Sequence, residues 1–224
     1  MKARRALFVV AVAAGAAVYV EWFQPWFRRW GATNTEVEEP WAADAFVQPG
    51  VVRHTRAITI DAPVASVWAW LAQIGQDQAG FYSYTALENL VGARMRNVNE
   101  LHPEWAQRVA GDTVWLADPD RWGEIGRQVL LAVEPERAFV MVSPTEYERV
   151  RSGGLASGYW GFRLDPLDGG TRTRLLTRAS GGAVGTPVFD VLHFVMEQAM
   201  MRGLKRRAEA HGELLGQLTV PGHR

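Results

Sequence analysis

The sequence predicts an α+β domain in which a curved antiparallel β-sheet wraps around a long C-terminal α-helix, with an N-terminal hydrophobic helix outside that domain. Three observations predict it. A strand, a sharp turn and an amphipathic helix follow one another between residues 51 and 74. A series of short strands separated by turn residues runs from Thr113 to Ala179. A helical stripe of apolar residues then begins after Thr186-Pro187. Successive strands with short connections read as an antiparallel meander, and a helix apolar on one side needs a sheet to lie on.

The first strand is expected over Val51–Ile60, where Ile58 and Ile60 alternate with Ala57 and Thr59 at the period of a half-buried strand. Asp61-Ala62-Pro63 turns the chain. Asp61 is placed to cap the next helix, and Pro63 suits a first helical turn. Val64, Val67, Trp68, Leu71 and Ile74 form the inward stripe of that helix, which leaves Trp70 off it, and Gly75 is placed to stop it. A second short helix is expected over Thr85–Val91. Asn97, Asn99, His102 and Pro103 make residues 92–111 irregular. Strands are expected at Thr113–Leu116, Arg127–Val133, Ala138–Val142, Tyr159–Leu164 and Thr171–Ala179. The final helix carries Val188, Val191, Leu192, Val195, Ala199, Gly203 and Leu204 on one stripe and reaches His211 or Leu218.

The run I-x-I-D-A-P-x-x-x-V-W-x-W-L from Ile58 to Leu71, continued by G-Q-D-x-A-G-F-Y-S-Y-x-x-L-E-N-L from Gly75 to Leu90, resembles the opening of the SRPBCC superfamily. That superfamily is also called START-like or Bet v 1-like, and the second motif looks like its bacterial polyketide cyclase/dehydrase-like branch. The resemblance covers about Val51 to Leu215. It implies the helix-grip fold and a cavity between sheet and C-terminal helix. It does not select a function, because lipid carriers, cyclases, oxygenase domains and hormone receptors share the fold.

Composition narrows the classes. The 224 residues suit one domain with a small addition, and the formal net charge is zero, which gives no electrostatic pull toward nucleic acid. There is no Cys, so disulfides, thiolate metal sites and a cysteine nucleophile are excluded. Lys occurs only at Lys2 and Lys205. This bias toward Arg reads as GC-rich bacterial coding rather than mechanism.

The division expected is an N-terminal membrane anchor or signal segment over residues 1–30, a linker over 31–50, and a ligand-binding domain over 51–218. Ala6 to Val20 is uninterrupted apolar or small sequence after a basic start, and Trp22, Phe23, Trp26 and Phe27 follow Glu21. A cleaved signal peptide, a membrane anchor and a buried helix compete for this run. The anchor is favoured, because apolar character continues past the Ala14-Gly15-Ala16 cut and the aromatic cluster suits a membrane interface. Lys2, Arg4 and Arg5 oppose Arg28 and Arg29 by a thin margin in favour of an extracytoplasmic domain.

A sheet curled around a helix encloses a pocket wherever large side chains fail to fill it. The candidates to line it are Phe81, Tyr82, Tyr84, Glu88, Trp105, Trp160, Phe162, His193, Met196 and Met200. For each aromatic the competing reading is plain core filling. Glu88 can equally serve its own helix. His193 and Glu197, four apart, lack a third ligand at a helpful spacing, so no metal is expected. Arg202, Lys205, Arg206 and Arg207 suit a solvated helix face or anionic lipid headgroups. No G-x-S-x-G, H-E-x-x-H, Walker loop or dinucleotide fingerprint is present, and no cofactor is expected. The expected activity is binding of a hydrophobic small molecule, a lipid, quinone or polyketide-like compound, by a membrane-tethered domain. An aromatase/cyclase-type enzyme using the same cavity, and an interaction module with a filled cavity, are the alternatives.

Overall fold

The computed structural model describes residue 15 and residues 19–219. Six strands form one sheet: β1 (Arg53–Ile60), β2 (Thr113–Trp115), β3 (Arg127–Glu134), β4 (Ala138–Val142), β5 (Trp160–Leu167) and β6 (Arg172–Ser180). Their order is β1-β6-β5-β4-β3-β2, and every pairing is antiparallel. The first strand pairs with the last, so the opening strand stands at the edge beside the C-terminal half of a meander. The helices are α1 (Gln24–Arg28), α2 (Asn34–Glu38), α3 (Val64–Leu71), α4 (Thr85–Leu90), α5 (Pro119–Trp122), α6 (Pro144–Arg151) and the long α7 (Pro187–Thr219).

The register sorts the side chains onto two faces. On the inner face Arg56 stands opposite Thr177, and Thr177 opposite Phe162, which in turn faces Phe139. Two residues along, His54, Ala179 and Trp160 make the next row. Leu164, Leu175, Phe139 and Phe162 pack there against Leu71 and Ile74 and against Met201 and Leu204 of α7. Gly203 is required at the closest approach. A Cβ there would meet the Tyr82 carbonyl oxygen at 2.2 Å. The carbonyl belongs to a tyrosine held at φ +57°, outside the usual region for an L side chain.

The outer face has its own core. Ala57, Val140, Val142 and Leu176 are covered by Trp41, Ala43 and Val47, with Tyr147 and Val150 of α6 at the margin. Residues 31–50, expected as a linker, are therefore packed structure. They contain α2, whose first turn is closed by reciprocal Thr33 and Glu36 hydrogen bonds, and a 3₁₀ turn over Ala42–Phe46. Arg178 explains why they stay down. Its guanidinium is fully buried and donates to the carbonyls of Glu36, Val37 and Glu39 and to the Asp44 carboxylate, with the Trp41 ring 4.5 Å from its centre.

Two local expectations fail. Asp61 caps nothing. Pro63 occupies the N-cap position of α3 without a side-chain bond, while the Asp61 carboxylate accepts from Arg172 and Lys205. Trp70 is buried like Trp68, because the loop carrying Tyr82 closes over the second side of α3 and sets the two rings edge to face. Among the described residues no helix is long and apolar enough to cross a membrane. The run Ala6–Val20, apart from residues 15, 19 and 20, lies outside the described residues.

Candidate functional site

The end of the sheet where His54, Ala179 and Trp160 align is not filled. A cavity of about 190 Å³ opens there between the sheet, α7 and the α4 loop. Phe81, Ser83, Glu88, Leu116, Trp160, His193, Met196, Glu197 and Met200 line it. A second compartment of about 320 Å³ adjoins it, with Leu116, Trp160 and His193 bordering both. Together they reach the size of small-molecule sites, roughly 300–1,000 Å³.

One wall is ionic. Arg56 of β1 is fully buried and donates to Glu197 Oε2 at 2.5 Å and to the Phe27 carbonyl at 2.6 Å. Its nitrogens also lie 3.0 Å from His193 Nδ1 and 3.2 Å from His54 Nδ1. Trp160 Nε1 donates to the other Glu197 oxygen at 2.7 Å. Beyond His54, its Nε2 lies 3.1 Å from the buried Asp190 carboxylate, which also accepts from the Gly185 N–H. Arg28 of α1 approaches that carboxylate at 3.6 Å. The network thus runs from the N-terminal segment through the sheet to the cavity wall.

Its charge state follows from burial. Burial lowers the His54 imidazole to about 4, and Arg56 adds to this against the pull of Asp190. Burial likewise holds His193 below its usual range, with Glu197 opposing and Arg56 assisting. Burial pushes the Glu197 carboxyl up, but His193, Arg56 and the hydrogen bonds from Arg56 and Trp160 outweigh it, and its pKa ends below the usual value. At neutral pH both imidazoles are uncharged and Glu197 is ionised. Because Arg56 can only donate, both Nδ1 atoms accept, and each imidazole carries its proton on Nε2. The arrangement does not suit a cation. Arg56 already occupies the space between the acceptors, and no metal-ligand group of three acidic or imidazole side chains occurs among the described residues.

The facing wall holds Glu88 on α4. Its Oε2 is buried without a hydrogen-bond partner, and burial alone raises its carboxyl to about 7. Cavity and network therefore bring together an uncharged or readily titrated carboxyl, a neutral imidazole and an apolar floor of Phe81, Met196 and Met200.

Six of the ten residues expected at the site, Phe81, Glu88, Trp160, His193, Met196 and Met200, line the cavity. Four do not. Tyr82 is a structural clamp: its hydroxyl donates to the Trp70 carbonyl and accepts from Gln73, Arg207 lies over its ring, and burial raises its pKa. Phe162 is fully buried one row deeper. Tyr84 is half exposed on the outside of the α4 loop, and Trp105 stacks on His102 in the irregular region. Sequence reasoning missed Ser83, Leu116 and Glu197 as cavity wall and missed Arg56 altogether. Arg56 did carry a signal, since an arginine sharing the inward parity of Ile58 and Ile60 must bury its charge and needs a carboxylate.

No family model and no curated protein sequence matches the chain. Among solved structures, a protein from Nitrosomonas europaea is 14% identical, with 77% of this chain and 99% of that one covered and a TM-score of 0.44. The Aha1 dimer from Colwellia psychrerythraea is 15% identical over 70% and 96%, TM-score 0.42. A polyketide-cyclase-like protein from Corynebacterium glutamicum is 17% identical over 79% and 99%, TM-score 0.34. The strand order, the antiparallel pairing and the long C-terminal helix gripped by the sheet give the chain a helix-grip fold.

Proposed function

We propose that this protein binds a hydrophobic small molecule in the cavity between sheet and α7, held to a membrane by the apolar run Ala6–Val20. The observation that carries the reading is the cavity itself. It is lined mainly by Phe81, Leu116, Trp160, Met196 and Met200, with polar groups at Ser83, Glu88, His193 and Glu197. Apolar burial supplies affinity, the methionines adapt to ligand shape, and Glu88 or the His193 Nε2–H orients one polar group of the ligand. Native mass spectrometry of the chain purified from its host tests this. A co-purified lipid-, quinone- or polyketide-like ligand is expected, and Met200→Trp, which fills the floor, should lose it. A wild-type chain that carries no ligand and takes up no fluorescent hydrophobic probe would refute the reading.

A cyclase-type activity has one observation in its favour. A carboxyl titrating near neutrality in an apolar cavity is equipped to give and take a proton. In that case Glu88→Gln slows turnover of the bound compound by roughly 10²–10⁴-fold with little change in affinity. In a carrier the same substitution changes affinity by about one hydrogen bond, roughly 0.5–1.5 kcal/mol, and no conversion is seen.

A further inference from the structure

We infer that the face formed by the N-terminal aromatic segment, the outer strip of α7 and the cavity mouth rests on a lipid bilayer, so that the cavity opens onto the membrane surface. The surface is argued independently of any ligand; only what passes through the mouth rests on the binding reading above.

Among the described residues the face is apolar and unpartnered. Trp22, Phe23 and Trp26 are exposed, Trp22 to 76%. Trp26 packs its other side on Phe194 of α7, with ring centroids 5.1 Å apart, which fixes the segment against that helix. At about 100° per residue, Phe194 points to the segment, while Phe189, His193, Met196 and Met200 point to the two compartments. Val188, Val191 and Leu192 fall between these two directions, and all three are exposed, Val188 to 82%. Tyr84 and Val91 flank α4, the helix that carries Glu88, and both are exposed. Leu87 and Leu90 of the same helix are exposed as well, Leu90 to 82%. Exposed apolar residues therefore stand on the aromatic segment, on the outer strip of α7 and on α4, the three elements around the cavity.

Two features select a bilayer as the occupant. The chain enters this surface at Tyr19, straight out of the apolar run that begins at Ala6. Trp, Tyr and Phe at such a junction suit the headgroup level. Further along α7 the same outer strip turns basic at Arg202 and Arg206, both exposed, where anionic headgroups would lie. Beside the β5–β6 hairpin the surface is charged instead, where Arg172 meets Asp61.

The native chain has no Cys, so single cysteines report position cleanly. Full-length protein in vesicles of phosphatidylcholine and phosphatidylglycerol carries an environment-sensitive fluorophore on Leu192→Cys, Leu90→Cys or, at the β5–β6 hairpin, Thr171→Cys. Labels at 192 and 90 are expected to emit to the blue and to be quenched by nitroxide-labelled lipid, and the label at 171 to stay water-like. Water-like labels at all three positions on vesicle-bound protein would overturn the inference. Leu192→Glu with Leu90→Glu should leave the chain vesicle-bound yet slow transfer of a fluorescent lipid into the cavity by roughly tenfold or more, given the cost of a carboxylate against lipid. Lipid-quenched labels without uptake of any probe support the docking face and defeat the binding proposal. Probe uptake with water-like labels does the reverse.

Discussion

Glu88→Gln should make the folded protein more stable, and only above acid pH. The carboxyl titrates at about 7 in the fold against 4.5 when unfolded, and burial without a partner is the cause. The sign follows from proton binding. Between 4.5 and 7 the folded chain holds the proton more tightly, so wild-type stability falls as pH rises through this window and the full penalty is present above 7. At 1.36 kcal/mol per pH unit the difference corresponds to roughly 3 kcal/mol. Water reaches part of the side chain, and screening reduces this to about 1–2 kcal/mol. Glutamine keeps the shape and cannot ionise. Urea unfolding of wild type and variant across the window should give nearly equal stabilities below 4.5 and a variant advantage of about 1–2 kcal/mol above 7. The comparison must be a difference, because His54 acts in the opposite direction. Its pKa is lowered from 6.5 to about 4, so the fold loses stability as pH falls through that range. A pH-independent difference, or a wild type that outlasts the variant at alkaline pH, would show that Glu88 has a partner or is fully hydrated.

Other substitutions test the packing and the network. Trp68→Ala and Trp70→Ala should each cost about 3–5 kcal/mol, since both rings are buried; a much smaller loss at Trp70 in a calorimetric scan would put it back on a solvent face. Arg56→Met should cost about 3–5 kcal/mol by stranding the buried Glu197 carboxylate. Adding Glu197→Gln should recover part of that, and simple additivity in the double-mutant cycle would deny the coupling. Gly203→Ala should cost about 1–3 kcal/mol in chemical denaturation by forcing α7 away from the Tyr82 carbonyl, and a neutral result would mean that the approach is loose.

Strand positions were legible because turn chemistry and period-two alternation mark them, and β1, β4 and α4 fall within two residues of expectation. The missed elements were short and polar. α2 and α6 lack an apolar stripe, yet each begins with a hydroxyl followed three residues later by glutamate, Thr33 with Glu36 and Ser143 with Glu146, and the capping signature alone would have revealed them. The site was half legible for a different reason. Large apolar residues near a curled sheet are easy to nominate, but whether Phe162 or Met200 faces the empty end depends on its row in the sheet or its position along α7, which composition does not carry. Glu197 and Arg56 are 141 residues apart, and their meeting depends on strand β1 lying under the first turns of α7.

The buried Arg178 has a consequence for where this chain could be cut without loss of its fold. All its acceptors but the Thr55 hydroxyl of β1 lie in residues 36–44, upstream of the first strand. Proteolytic shedding between there and β1 would not liberate a working domain. It would leave a guanidinium in the interior with Thr55 Oγ1 as its remaining acceptor and strip the cover from Ala57, Val140 and Leu176. A protease that frees the domain intact must cut upstream of Thr33, and only a cut before Phe27 also keeps the carbonyl that holds Arg56.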